Sequence, residues 1–224
     1  MLEVKNISKS FVNRKVLKNV TLEVKKSEIM VILGLNGSGK STLLKIISGI
    51  IKPDEGKIII DGQDVTMLPP ECRKVGYVPQ SPALFNHLSV KDNIMYSLKN
   101  RRGCEKTAEK IIKMLGLKDY LQFKPQQLSG GYKSRVSLAR ALVSEPSVLL
   151  MDEPLKEFDA PTKKKLLPEF YKVIKSINIP VLYVTHDVYE AELIGERFAV
   201  VTDGELIHLA SASEALEFMK GKIL

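Results

Sequence analysis

One stretch of the chain has the composition and spacing of a phosphate-binding loop. Residues 34–42 read Gly-Leu-Asn-Gly-Ser-Gly-Lys-Ser-Thr. Glycines let the backbone curl so that successive N–H groups point inward, and a helix starting here adds the positive end of its dipole. Lys40 can reach the β- and γ-phosphates of a nucleotide, and the Ser41 hydroxyl can ligate Mg²⁺. The loop therefore predicts a nucleoside triphosphate site.

Two acidic residues, Asp152 and Glu153, follow the apolar run 148–151. Parallel sheets bind ligands at the carboxyl ends of their strands, which is where these acids would lie. Asp152 offers the carboxylate oxygen that Mg²⁺ prefers, and Glu153 can polarise a water for in-line attack on the γ-phosphate. Acids after a strand can instead be loop residues that cap the next helix. The phosphate loop upstream favours the catalytic interpretation.

Polar side chains also follow two other apolar runs. His186 comes soon after residues 181–184, where an imidazole can hydrogen-bond the γ-phosphate. Gln80 follows residues 75–78, and its amide oxygen can serve Mg²⁺ or the attacking water. A lone histidine is more often structural, and Gln80 alone is unremarkable. Their prediction as site residues depends on the phosphate loop.

A second anion-binding surface is predicted at Ser129, Gly130 and Gly131, at the start of a helix. Ser129 has the residue type of an N-cap, and the two glycines leave the backbone amides uncovered. As a bare pentapeptide, residues 128–132 can also be an ordinary capped turn.

The elements that must position these residues indicate an α/β fold. Residues 29–33 form a continuous apolar run, as expected for a strand buried on both faces of a parallel sheet. After the phosphate loop, an apolar helical face ends at Ser48–Gly49, a typical helix stop. Parallel strands are also predicted at residues 148–151 and 181–184.

The remaining patterns predict an antiparallel β layer and a helical insertion. Strands are predicted at residues 2–4, 20–24, 58–60 and 75–78, with turns near Asn13–Arg14 and at Asp61–Gly62. A hairpin is predicted over 198–209 with its turn at Asp203–Gly204, followed by a helix from Ser213. We expect one domain over 1–224, with a nucleotide-binding core of 1–84 and 143–224. Residues 85–142 form the helical subdomain in this prediction.

Composition is ordinary for a globular domain. The chain has 224 residues, 44% of them hydrophobic, which suits one sizeable α/β domain rather than disorder. No apolar run approaches the roughly 20 residues that span a bilayer, and no signal-peptide core is present, so a cytosolic protein is expected. Cys72 and Cys104 lie far apart, so neither a disulfide framework nor a zinc site is indicated.

The net charge of +8 is spread over many lysines. Lys163 to Lys165 follow Pro161 at the start of a predicted helix, and their plain interpretation is a solvated face. Nucleic-acid binding favours a basic stripe with stacking aromatics, whereas aromatics are only 6% here and tryptophan is absent. An anionic membrane surface is the other use of such charge. Solubility is the favoured interpretation, and no nucleic-acid partner is expected.

Taken in order, these motifs resemble the ATP-binding subunit of an ABC transporter, nearly from end to end. The matching positions are Phe11 (adenine-stacking aromatic), 34–42 (Walker A), Gln80 (Q-loop), 128–132 (signature), Asp152 and Glu153 (Walker B aspartate and catalytic glutamate), Asp159 (D-loop) and His186 (switch histidine). Residues 68–90 are similar to the importers of molybdate, tungstate, sulfate, polyamines and sugars.

The resemblance implies an ATPase with a P-loop NTPase (RecA-like) core and an inserted signature subdomain. The implied cofactors are ATP and Mg²⁺, with catalytic roles for Glu153, His186 and Gln80 and metal ligation by Ser41, Gln80 and Asp152. The positions implied to bind nucleotide are Phe11, Gly34, Leu35, Asn36, Gly37, Ser38, Gly39, Lys40, Ser41, Thr42, Ser129, Gly130, Gly131 and Asp159.

The resemblance also implies partners. Two copies pair head to tail, a homodimer being expected, so that Ser129 and Gly131 of one complete the ATP site built on Lys40 of the other. Transmembrane permease subunits dock near Gln80 to Phe85, and a solute-binding protein acts indirectly. The protein would then sit peripherally on the cytoplasmic face of the cell membrane.

The sequence departs from the family pattern in three motifs. Tyr132 replaces the usual glutamine of the signature, and Phe11 replaces the commoner tyrosine. Lys156-Glu157-Phe158 stands where the D-loop is usually small, which questions normal coupling between sites. Many relatives carry a C-terminal regulatory domain; because the chain ends at Leu224, we expect that regulation to be absent.

Two alternatives stay open at this point. A soluble ABC ATPase acting on ribosomes or DNA usually has tandem cassettes, charged linkers or a coiled-coil insertion, none of which the sequence shows. An exporter cassette, or a regulatory subunit with weakened hydrolysis, is suggested by the D-loop departure.

Overall fold

The computed structural model describes residues 1–12, 14–100 and 102–221. The strands are β1 (Leu2–Phe11), β2 (Arg14–Val24), β3 (Ile29–Leu33), β4 (Glu55–Ile60), β5 (Gln63–Asp64), β6 (Val75–Val78), β7 (Val148–Asp152), β8 (Val181–Val184), β9 (Arg197–Thr202) and β10 (Glu205–Leu209). The helices are α1 (Lys40–Ile47), α2 (Val90–Ile94), α3 (Tyr96–Lys99), α4 (Glu105–Met114), α5 (Gly130–Val143), α6 (Ala160–Lys175), α7 (Val188–Ile194) and α8 (Ala212–Gly221).

The larger sheet carries the predicted parallel strands. Its order in the described ranges is β10-β9-β3-β8-β7-β6, in which β9, β3, β8, β7 and β6 run parallel. β10 pairs antiparallel with β9 through the predicted turn, where Asp203 has φ 50° and Gly204 φ 81°. The carboxyl ends of β3, β7 and β8 therefore meet at one edge of the sheet, as nucleotide chemistry requires.

The second sheet is the predicted antiparallel layer. Its order among the described residues is β2-β1-β4-β5, and the helix α1 contributes to the hydrophobic cluster between the two sheets. Met30 and Ile32 of β3 join that cluster, whereas Ile29, Val31 and Leu33 join the cluster formed with the helices. This alternation confirms that β3 is buried on both faces. Of the predicted turn near Asn13–Arg14, Arg14 begins β2 and Asn13 lies outside the described residues.

Helices α2 to α5 all lie between β6 and β7, which are neighbours in the larger sheet. Ile94, Ala108 and Leu138 from these helices belong to the same hydrophobic cluster as Val31. The helical insertion is thus packed continuously onto the core. Its assignment as a subdomain over 85–142 stays a prediction.

One buried arginine fastens the far end of α1. The Arg73 guanidinium, in a residue that is 2% exposed, donates to the carbonyl oxygens of Ile46 and Ile47 at 2.8 and 3.1 Å. It also donates to the carbonyls of Leu68 and Thr66 at 2.7 and 2.6 Å. Arg73 therefore adds a charged donor to carbonyls at the end of the helix, where the Ile46 carbonyl also accepts from the Gly49 N–H at 3.1 Å.

Across the ranges that the structure describes, no helix is both long enough and apolar enough to cross a membrane.

Candidate functional site

The phosphate loop connects β3 to α1, and its shape requires glycine at specific positions. Gly39 has φ 110°, and a Cβ placed there would lie 2.9 Å from the Val16 carbonyl oxygen. A Cβ at Gly34 would lie 2.5 Å from the carbonyl oxygen of Val201 and 2.8 Å from Ser38 Oγ. The loop backbone can therefore approach its neighbours this closely only without side chains.

Lys40 occupies the centre of this loop and is only 3% exposed. Its Nζ donates to the carbonyl oxygens of Gly34 and Leu35 at 2.7 and 2.9 Å. Burial lowers the pKa of Lys40, although the charges of Glu153 and Asp152 oppose that shift. Beside it, Ser38 Oγ is buried and has no hydrogen-bond partner among the described residues. An ammonium group and an unpaired hydroxyl in one glycine-rich loop suit a polyphosphate.

Two of the three residues predicted to hold Mg²⁺, Ser41 in α1 and Asp152 in β7, are in direct contact. Ser41 Oγ donates to Asp152 Oδ1 at 2.9 Å, and the Tyr77 hydroxyl donates to Asp152 Oδ2 at 3.0 Å. Burial, reinforced by the Asp152 charge, raises the pKa of Tyr77, so its hydroxyl stays a donor. Hydroxyl and carboxylate oxygens at the phosphate loop are a fitting donor set for Mg²⁺. Sequence reasoning did not identify Tyr77.

Glu153 lies at the centre of a group of basic side chains. Oε2 lies 2.8 Å from His186 Nδ1 and 3.2 Å from Lys156 Nζ, and Oε1 lies 3.7 Å from Lys40 Nζ. Burial alone would raise the pKa of Glu153, but the hydrogen bonds from Lys156 and His186 outweigh it and the pKa is lowered. The carboxylate is therefore ionised near neutral pH, and His186 Nδ1–H is the donor to it.

A cleft of about 380 Å³ brings many of the predicted nucleotide residues together, whereas Gly34, Leu35 and Ser38 line a neighbouring cleft on the other side of the loop. The lining of the first cleft includes Phe11, Lys40, Ser41, Gln80 and Glu153. The Phe11 ring is 43% exposed, as an aromatic must be if a purine base is to stack on it. Residues from the β layer, the phosphate loop and the ends of two core strands thus line one cleft.

Ser129, Gly130 and Gly131 line a different cleft, with Tyr132 and Phe158. Among the described residues, no lining residue is shared between this cleft and the one at Lys40. Ser129 occupies the N-cap position of α5, as predicted, but its side chain makes no cap hydrogen bond. Within one chain, the serine–glycine turn and the phosphate loop do not form one site.

The unusual D-loop residues each contact another motif of the same chain. Lys156 pairs with Glu153, and Glu157 Oε1 accepts a 2.6 Å hydrogen bond from Ser81 Oγ, next to Gln80. The Phe158 ring lies against Gly130, 2.9 Å from where a Cβ would be. Asp159 Oδ1 accepts from the Thr162 N–H at 3.1 Å and so caps α6.

One prediction about surface charge is wrong. Lys163 was expected on a solvated face with Lys164 and Lys165, yet it is only 9% exposed. Its Nζ lies 2.7 Å from Asp187 Oδ2 and 2.8 Å from Glu190 Oε1. The buried positions Leu166, Leu167 and Phe170 place Lys163 on the apolar stripe of α6, a periodicity that was available in the sequence.

Import ATP-binding proteins are among the curated proteins similar to this chain. A molybdate/tungstate import ATP-binding protein of Pyrococcus abyssi is 44% identical over 96% of this chain and 63% of its own length. One from Methanocaldococcus jannaschii is 44% identical over 95% of this chain and 71% of its own. A spermidine/putrescine import ATP-binding protein of Thermotoga maritima is 40% identical over 96% and 60%. The chain thus spans about 63% of the length of the first of these relatives.

Solved structures share the fold. A dimeric bacterial ABC transporter cassette matches with a TM-score of 0.80 at 34% identity, over 92% of this chain and 96% of that one. The ATP-binding subunit of an ABC transporter matches with a TM-score of 0.83 at 27% identity, over 98% and 99%. The ABC transporter family profile matches residues 17–156. This match, together with the P-loop NTPase architecture and the relatives, shows that the chain belongs to the ABC transporter family.

Proposed function

We propose that the chain binds and hydrolyses ATP and energises a membrane importer through ATP-driven pairing of two copies. The observation that carries this proposal is the separation of the two anion-binding surfaces. The phosphate loop and the serine–glycine turn line different clefts of one chain, and in this proposal a second copy brings the two surfaces together.

ATP binding begins with the groups that the cleft offers. The adenine stacks on Phe11, and the triphosphate lies on the amides of residues 34–42. To reach the phosphates, Lys40 Nζ exchanges the Gly34 and Leu35 carbonyls for phosphate oxygens. Ser38 Oγ, which is buried without a hydrogen-bond partner among the described residues, gains an acceptor at the same time.

The metal position is held by the contact between α1 and β7. Ser41 and Asp152 provide a hydroxyl and a carboxylate oxygen within 2.9 Å of one another, and Gln80 lines the same cleft as Ser41. When bound, Mg²⁺ supplies charge neutralisation at the β- and γ-phosphates. Tyr77 fixes the Asp152 carboxylate from the other side.

Hydrolysis uses Glu153 as the base. Its ionised carboxylate accepts a proton from the attacking water, and His186 holds that carboxylate through Nδ1 at 2.8 Å. Lys156 also pairs with Glu153, so the Glu153 carboxylate is a weaker base than it would be beside a small, uncharged D-loop residue. The second candidate function is therefore a regulatory subunit with weakened hydrolysis, which the contact between Lys156 and Glu153 favours.

Pairing of two copies then completes each site. Ser129 and Gly131 of one copy cap the phosphates held by Lys40 of the other, with Asp159 at the interface; the dimeric cassette that matches this chain supports this arrangement. We place permease subunits against the region from Gln80 to Phe85, with 85–142 as the helical subdomain of a core formed by 1–84 and 143–224. The names of the relatives support import, and with it a peripheral position on the cytoplasmic face.

The variant Glu153→Gln tests this proposal. An amide cannot accept the proton, so turnover should fall by about 100-fold or more, while ATP and Mg²⁺ should trap a dimer that light scattering detects. Glu109→Gln, on the exposed side of α4, is the matched control and should behave as the unaltered chain. Full turnover in the Glu153 variant would remove its role as base, and a variant that stays monomeric with MgATP would contradict ATP-driven pairing.

A further inference from the structure

A buried ionic network lies beside the catalytic cleft, and the mechanism above does not use it. We call it the Lys163 network; its members are Tyr183, Thr185, Asp187 and Glu190 around the Lys163 ammonium group. Glu190 is 1% exposed although it is an acid, and Lys163 is 9% exposed although it is a lysine. Buried charges of this kind are retained only when they are paired, so their partners show what they hold in place.

Every member of the network contacts at least one other member. Lys163 Nζ donates to Asp187 Oδ2 at 2.7 Å and forms an ion pair with Glu190 Oε1 at 2.8 Å. The hydroxyls of Tyr183 and Thr185 each donate to Glu190 Oε2 at 2.9 Å. Burial opposes the ammonium charge, yet the hydrogen bonds to Asp187 and Glu190 outweigh it and raise the pKa of Lys163. Lys163 therefore stays charged at the centre of the network.

The network holds the backbone on both sides of His186. Before the histidine in the chain, the Thr185 hydroxyl donates a hydrogen bond to Glu190. After it, the Asp187 carboxylate accepts a hydrogen bond from Lys163. The Asp187 N–H also donates to Thr185 Oγ1 at 3.0 Å, which closes a small ring of contacts around the histidine. The His186 side chain is outside this ring and reaches Glu153 at 2.8 Å.

Lys163 enters the network from the first turn of α6. Its N–H donates to the carbonyl oxygen of Asp159 at 3.0 Å, and Asp159 caps the same helix. Residues 154–159 connect this turn directly to Glu153. Glu153 and Lys163 are therefore linked in two ways. One link is the chain segment 154–159, and the other is the series of contacts from Lys163 to Asp187 and, through the neighbouring His186, to Glu153.

We propose that Lys163 is a positioning residue for His186: it fixes the 185–187 loop to the start of α6 so that the imidazole meets Glu153. This inference rests on the proposed role of His186. A lysine kept only for stability would be poorly explained here, because hydrophobic replacement of a buried ion pair is often neutral or stabilising.

The test compares Lys163→Met and Lys163→Arg in the full chain, with Lys164→Met as the matched control because Lys164 is exposed on the next position of α6. Lys163→Met should lower kcat for MgATP by about tenfold or more, because loss of positioning at the reacting centre is costly. ATP affinity, measured by fluorescence titration, should change by less than about threefold. Arginine should restore most of the activity, and Lys164→Met should change neither quantity.

A double-mutant cycle with His186→Ala separates positioning from a purely structural role. If Lys163 acts through the histidine, then Lys163→Met should cost no further turnover once His186 is alanine. Losses that multiply, or a Lys163 variant with normal kcat, would overturn the inference. Normal kcat in His186→Ala alone would instead overturn the proposed role of the histidine, which is a different result.

Lys163→Met leaves the Glu190 carboxylate unpaired, so the variant can fail to fold. In that case Lys163→Met with Glu190→Gln, which removes both charges, takes its place in the cycle. Asp187→Asn is the independent variant, because Asp187 Oδ1 caps α7 while Oδ2 accepts from Lys163. It should lower kcat in the same direction as Lys163→Met, and unchanged kcat in this variant would contradict the proposal.

Discussion

At the scale of residues, this chain differs from the usual family pattern in the charge beside the Glu153 carboxylate. Lys156 Nζ lies 3.2 Å from Glu153 Oε2, three residues away in sequence, where the family usually has a small D-loop residue. A cation at this distance favours the ionised carboxylate and makes it a weaker base. The departure that the sequence showed in the D-loop therefore acts directly on the proposed base.

Lys156→Ser should raise kcat for MgATP by about threefold to tenfold, because Glu153 keeps His186 and Lys40 but loses the ammonium group 3.2 Å from Oε2 and becomes a stronger base. Since Lys156 helps to lower the pKa of Glu153, its removal raises that pKa, and the acidic limb of the pH–rate profile should move to higher pH. Steady-state ATPase assays across pH check both expectations. Lys164→Ser is the control, and a fall in kcat would show that Lys156 assists the reaction instead.

The sequence predicted residues that the structure places in contact at the phosphate loop, but it did not predict the residues that hold them there. Lys40, Ser41, Asp152 and Glu153 were identifiable because phosphate and metal chemistry restrict residue type and spacing. Tyr77 was not, because its contact with Asp152 joins positions 75 residues apart and depends on the register of β6 against β7.

At the scale of elements, the position of α1 depends on both of its ends. Its first residue is Lys40, and its last carbonyls are bound by the buried Arg73 guanidinium. Burial lowers the pKa of Arg73, which reflects how little water reaches the group. Four carbonyl oxygens from two segments, the end of α1 and residues 66–68, accept from this one side chain.

Arg73→Met should therefore destabilise the fold by about 3 kcal/mol, because buried carbonyl groups lose a charged donor. For a chain of this size that corresponds to a loss of roughly 6–12 °C in Tm. Thermal unfolding followed by circular dichroism measures the change. Arg102→Met, which removes an exposed arginine that donates to the Glu71 carbonyl, is the control. An equal shift in both variants would contradict the special role of Arg73.

Strands and helix ends were predictable because apolar runs and glycine stops are local signals. Residues 29–33, 148–151 and 181–184 lie in buried strands, and Ser48 is the C-cap of α1, as expected. What the sequence could not show was the phase of one helix against another. The apolar periodicity of α6 predicts Lys163 as buried and Lys164 as exposed, but the partners of Lys163, Asp187 and Glu190, depend on how α6 packs against α7.

At the scale of the whole molecule, the phosphate loop and the serine–glycine turn line different clefts, and each is one half of a site in the proposed mechanism. A chain altered at Lys40 retains its serine–glycine turn, and a chain altered at Ser129 retains its phosphate loop. In a head-to-tail pair of these two variants, one site is wholly intact and the other carries both changes. Two inactive proteins should therefore complement one another.

Mixing Lys40→Ala with Ser129→Arg should restore ATPase activity to as much as about one quarter of that of the unaltered chain, since half of randomly formed pairs are mixed and each has one good site. Each variant alone should be nearly inactive. Mixing Lys40→Ala with itself at the same total concentration is the control. Absence of recovery, with mixed pairs demonstrated by differential tagging, would exclude shared sites.

The pairing of Lys40 with Glu153 has a consequence for what the cleft selects. Before a nucleotide arrives, the ammonium group rests on its own loop carbonyls and on a carboxylate 3.7 Å away, so its attraction for passing anions is largely cancelled. Free inorganic phosphate, abundant in cells, gains little by displacing these contacts. A ligand with a stacking base, a long polyanionic tail and its own divalent counter-ion can replace all the contacts of Lys40 at once. The free energy needed to separate Lys40 from Glu153 therefore favours a nucleotide over free phosphate.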